Sequence, residues 1–129
     1  MTAPEESPFG LDRVGQIAMP VRDVDRAIAF YRDTLGMRFL FRAPPGLAFF
    51  ACGAVRLMLD GPAAARAGQG SVLYYSVPDL HAAHAILSAR GVEFEREPHL
   101  VARLPDHELW MAFFRDPDHN LLALMSEIA

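Results

Sequence analysis

The chain comes close to repeating itself. Ser71 to Val77 alternates apolar and small or polar residues as Gly15 to Val21 does, Asp79 stands 56 residues after Asp23, and Gly91 stands 55 after Gly36. A period of this length means that one supersecondary unit is built twice, so the topology of one half predicts the other. With 129 residues, 52% of them hydrophobic, the chain has the apolar content to fill one compact domain, or two half-domains sharing a core.

Within the first copy, Val14 to Val21 reads as a strand, with Ile17, Met19 and Val21 on one face. Asp23 or Asp25 caps a helix whose apolar stripe is Val24, Ala27, Ile28, Tyr31 and Leu35, and Gly36 stops it. Alternation resumes over Met37 to Phe41, breaks at Ala43-Pro-Pro-Gly46, and returns in Leu47 to Cys52 and Ala54 to Asp60. The order is βαβββ. In the second copy Leu80, Ala83, Ile86 and Leu87 form the helical stripe, Val92 to Glu95 mirrors the second strand, and Pro98 to Pro105 reads as a Pro-interrupted segment. Glu108 to Arg115 and Leu121 to Ser126 form a hairpin around Asp116-Pro-Asp-His-Asn120, a turn signature that explains both aspartates through backbone bonding.

The predicted fold class is therefore α+β: two tandem βαβββ modules, residues 13–60 and 71–127, after an N-terminal segment 1–12 and joined by a small-residue linker 61–70. One helix covers one face of each four-stranded sheet and leaves the other bare, so two such sheets curl into a half-open mixed-sheet cup. Interspersed charges with a net of -4 offer no phosphate-neutralising surface, which argues against nucleic acid. No apolar run spans a bilayer and no signal pattern opens the chain, so no membrane is expected and the cytoplasm is. The lone Cys52 reads as a small hydrophobe.

The stretches VRDVDRAIAFYRDTLG (21–36), VPDLHAAHAILSARGVEF (77–94) and FFRDPDHNLLAL (113–124) resemble the vicinal oxygen chelate superfamily, which includes glyoxalase I, bleomycin-resistance proteins and extradiol dioxygenases. The resemblance spans about residues 13–127 and implies the glyoxalase-like fold. It also implies four cup-facing positions where metal-using relatives carry His or Gln, Glu, His and Glu; here they fall on Gln16, Arg56, Val72 and Ala123. Only Gln16 has a suitable lone pair, so no metal and no other cofactor is expected.

What remains is a ligand-binding set: Gln16, Arg56, Met58, Val72, Tyr74, Met111, Phe113 and Ala123. Arg56 beside Met58 calls for an anionic partner, from a ligand carboxylate or phosphate or from an acidic residue of the same cup, unless it is simply an exposed arginine at the sheet edge. His99 and Glu108 are the candidate catalytic pair, and with His107 and Gln16 they are the donors from which a displaced metal would recruit its ligands. Their alternative is a solvated turn-rich loop. His81 and His84 on the second helix read as structural, and Trp110 as packing under the sheet or at a subunit contact. The function expected is small-molecule binding, of an anionic or aromatic ligand, by sequestration or as a metal-free isomerase, lyase or cyclase in a homodimer. The alternatives are a metal-dependent glyoxalase-like lyase, epimerase or dioxygenase, and a purely structural dimeric scaffold.

Overall fold

The computed structural model describes residues 9, 14–61 and 72–129. The first module runs β1 (Gln16–Pro20), α1 (Val24–Ala29), β2 (Arg38–Ala43), β3 (Leu47–Cys52) and β4 (Val55–Asp60). The second runs β5 (Leu73–Ser76), α2 (Leu80–Ala89), β6 (His99–Arg103), β7 (Glu108–Arg115) and β8 (Leu121–Ile128). Two four-stranded mixed sheets result, ordered β1-β4-β3-β2 and β5-β8-β7-β6, and in each the first strand pairs parallel with the last. They are the two tandem modules, and no barrel closes. The N-terminal segment, apart from Phe9, and the predicted linker, apart from Gly61, lie outside the described residues.

The repeat is visible in the caps. Asp23 accepts from the Arg26 N–H and Asp79 from the Ala82 N–H, each filling one orphan donor of a first helical turn. Gly36 at φ 76° and Gly91 at φ 93° end the helical segments in the left-handed region that glycine enters without a Cβ clash. One difference separates the helices: α1 continues as a π-helical turn over Phe30–Thr34, with the Leu35 N–H bonding the Phe30 carbonyl.

The second module corrects two expectations. Residues 92–95 form no strand; they touch the sheet through a single bridge from Phe94 to Phe114. The strand is instead His99–Arg103, inside the stretch expected to be broken by proline. Pro98 and Pro105 flank that strand without entering it, so neither removes a ladder donor.

Both helices and one face of each sheet share a single core. Met19, Leu57, Leu59 and Phe50 meet it from the first sheet, and Ala112, Phe114, Leu122 and Leu124 from the second. Among the described residues, no helix is long and apolar enough to cross a membrane.

The β7–β8 turn joins the modules. Asp116 accepts from the Tyr31 hydroxyl at 2.8 Å, Asp118 from the Arg22 N–H at 2.7 Å and Arg26 at 3.1 Å, and Asn120 donates to the Pro20 carbonyl at 2.8 Å. The aspartates are thus turn formers, as expected, and cross-module anchors as well. His119 in this turn sits at φ 67°, a conformation costly for a residue with a Cβ. Its side chain is not needed for the bond that its carbonyl accepts from Arg115. We therefore expect His119→Gly to stabilise the protein by about 0.5–1 kcal/mol, read as a thermal midpoint raised by roughly 2–4 °C. A lower midpoint would refute the strain argument.

Candidate functional site

Side chains alternate along a strand, so each residue beside a core-facing one looks away from the helices. On the first sheet this bare face carries Gln16 from β1, Phe49 from β3, and Arg56 and Met58 from β4. Gln16 stands opposite Arg56 in the parallel ladder, and Phe49 opposite Met58. The Arg56 guanidinium donates from Nε to Gln16 Oε1 at 2.8 Å and lies 5.1 Å from the Phe49 ring centre. The Gln16 amide nitrogen points in turn at the Met58 sulfur, 3.6 Å away. An amide and an aromatic face therefore hold the exposed guanidinium in place. None of the ion pairs among the described residues involves it.

Phe41 belongs to this face although simple alternation places it in the core with Phe39. A bulge between Phe39 and Phe41 shifts the register so that Phe39 opposes Phe50 and Phe41 opposes Phe49. Phe41, 46% exposed, then stacks on Phe49 at 4.6 Å. The sequence reading missed it because an inserted residue reverses parity without changing composition.

On the second sheet the bare face carries Tyr74, Met111, Phe113 and Ala123, with Tyr74 opposing Ala123 and Ala123 opposing Phe113. Tyr74 meets Phe113 edge-on at 6.0 Å, and together they cover the fully buried Ala123. His99 opposes Met111 and lies nearly parallel to the Phe113 ring at 6.1 Å. The Arg96 Nε–H donates to His99 Nδ1 at 3.1 Å, closer than the Glu97 carbonyl at 3.3 Å. Val72, half-buried, stands immediately before β5.

Two groups thus assemble, one around Arg56 and one around Phe113. Both occupy the side of their sheets opposite the shared core, and no hydrogen bond or ring contact among the described residues links them.

The expected His99–Glu108 pair does not form. Glu108 lies three residues along β7 from the partner of His99, roughly 10 Å at strand rise, and on the opposite face with Trp110 and Ala112. There it accepts from the Trp110 indole N–H and from Arg103, both at 3.1 Å, and these donors, the indole foremost, hold its carboxyl below the usual carboxylate range. It is a fixed anion. His107, in the β6–β7 turn, contacts Asp106 at 2.7 Å and Glu127 at 3.8 Å. His84 packs against Phe94 and His81 against Trp110, which sits beneath the sheet.

The profile of the Glyoxalase/Bleomycin resistance protein/Dioxygenase superfamily matches residues 13–124. The chain belongs to this superfamily. Among curated relatives it is 27% identical over 130 residues to the uncharacterized protein YraH of Bacillus subtilis (strain 168), a match covering 84% of this chain and 94% of YraH. Among solved structures, the lactoylglutathione lyase from Agrobacterium tumefaciens is 24% identical with a TM-score of 0.71, covering 91% of this chain and 95% of that one. A superfamily member from Sphaerobacter thermophilus DSM 20745 is also 24% identical, with a TM-score of 0.75 and coverage of 91% and 98%. Membership sets the glyoxalase-like fold. It leaves the chemistry to the individual site, since superfamilies of this kind host many reactions.

Proposed function

We propose that this superfamily member captures a small anionic molecule on the bare face of its first sheet, with Arg56 as the anion anchor. The observation that carries the reading is the fixed guanidinium: positioned by Gln16 and Phe49, exposed, and outside every ion pair of the described residues. The internal salt bridge that would make Arg56 merely structural has no counterpart there. Phe41, stacked on Phe49 beside it, supplies apolar surface for the body of a ligand.

The superfamily's metal chemistry does not fit this donor set. Of the four implied positions, Gln16 already spends its amide oxygen on a guanidinium, Arg56 brings positive charge, and Val72 and Ala123 have no lone pairs to offer. Among the described residues no three of His, Cys, Asp or Glu cluster to replace them. Binding without turnover is the reading favoured, because among the described residues no carboxylate or second imidazole side chain bonds to His99.

Calorimetric titration with benzoate, phenyl phosphate and the neutral isostere benzyl alcohol tests it. The anions should bind more tightly than the alcohol, and Arg56→Met should weaken them at least tenfold, as loss of a charge-assisted hydrogen bond implies. Equal affinity for all three, or binding that appears only with an added divalent cation, would reject the reading.

A further inference from the structure

A cavity opens where the end of α1's π-helical turn meets α2. It measures about 230 Å³, and its walls include Leu35, Met37, Ile86, Leu87, Phe114 and Leu124. Its one cationic lining group is Arg90, at the C-terminal end of α2. Arg90 donates from one terminal nitrogen to the Thr34 carbonyl at 3.0 Å and enters no ion pair among the described residues. Ile86, 52% exposed, stands at its mouth. The packing behind the cavity is imperfect too: Tyr75, on its wall, buries a hydroxyl that has no hydrogen-bond partner.

The lining is mostly hydrocarbon, with Arg90 and the Tyr75 hydroxyl as its polar groups, so an apolar body suits most of this space better than a cluster of waters. An engineered apolar cavity of about 150 Å³ holds benzene, so this volume accepts a short chain or a single ring. Charge complementarity sets the other end of the occupant, since a carboxylate at the rim meets the free donors of Arg90. We infer that the cleft between α1 and α2 is a second ligand site, separate from the Arg56 face, for a small amphiphilic anion such as a medium-chain carboxylate. The apolar tail lies against Leu35, Leu124 and Ile86, and the headgroup against Arg90.

Methyl NMR of the full chain titrated with butanoate, hexanoate and hexanol reads this directly. Hexanoate should give saturable shifts at the Leu35, Met37, Ile86 and Leu124 methyls and bind about fifteenfold tighter than butanoate, each buried methylene contributing about fourfold. Hexanol should bind several-fold more weakly than hexanoate. Arg90→Met should erase that preference while leaving hexanol binding intact, and Ala83→Phe, which fills the cleft, should remove both. Arg56→Met should leave hexanoate at these methyls unaffected, which separates the two sites. The inference fails if hexanoate shifts appear only on the bare sheet faces, if hexanoate and hexanol bind alike, or if the Ile86 methyl responds to protein concentration alone, the mark of a second copy covering the cleft.

Discussion

Asp116→Ala is expected to lower the unfolding free energy by about 3–5 kcal/mol, the range for breaking a buried charged hydrogen-bond network. One carboxylate oxygen accepts from the Asp118 and Asn120 N–H groups at 2.8 and 2.9 Å, and the other from the Tyr31 hydroxyl at 2.8 Å and the Asn120 side chain at 2.9 Å. The residue is 3% exposed and Tyr31 fully buried, so alanine leaves these donors with little water to replace the lost acceptor. Because domains of this size are stable by only about 5–15 kcal/mol, the variant should stand near the edge of folding. Urea denaturation measures the loss. Asp118→Asn should cost less, since one oxygen of Asp118 has no partner and the Asn side chain keeps the other acceptor. A drop under about 1 kcal/mol for Asp116→Ala would show that the modules hold together without this turn.

Alkaline pH should destabilise the fold steeply for a reason tied to the same junction. Burial, and next to it the Asp116 carboxylate, push the Tyr31 hydroxyl well above its ordinary value near 10.0. Burial raises Tyr75 as well, with the neighbouring Cys52 second. A phenol with a raised folded-state pKa stays protonated in the fold while its unfolded counterpart ionises. Its contribution is therefore complete below about pH 10 and drains away as pH rises toward the folded value. The slope is about 1.4 kcal/mol per pH unit for each tyrosine, or about 2.7 for both. All 12 basic residues are arginines, so no lysine titrates in this window to obscure the effect. Urea midpoints between pH 9 and 11.5 should fall accordingly, and Tyr31→Phe, compared with its own value at pH 9, should lose about half the slope. A flat profile would mean that neither hydroxyl is protected.

What the sequence made legible followed from local signals. Two periodicities, two Asp caps and two glycine stops placed seven of the eight strands and both helices. The errors came where local signals were silent. Pro98 and Pro105 look like breakers of whatever lies between them, and only pairing with β7 reveals that they bracket a strand. That moved His99 from a presumed loop onto the Phe113 face. Glu108 was read as the partner of His99 because nine residues separate them, yet strand parity sets them on opposite faces. The bond from Tyr31 to Asp116 crosses 85 residues and leaves no trace in either neighbourhood. Arg56 and Gln16 were each legible as candidates, through the resemblance; their direct bond is a property of the parallel ladder alone.

The bulges in β2 and β6 have a bearing on how the molecule avoids its own kind. Each lies on the outermost strand of its sheet, the place where unsatisfied backbone groups invite a stranger's strand to add on. A flat, regular margin there would template fibrillar stacking, and a local kink with increased twist spoils the match. The same extra residue that turns Phe41 outward also guards the margin, so straightening it by deletion would trade a ligand surface for a propensity to polymerise.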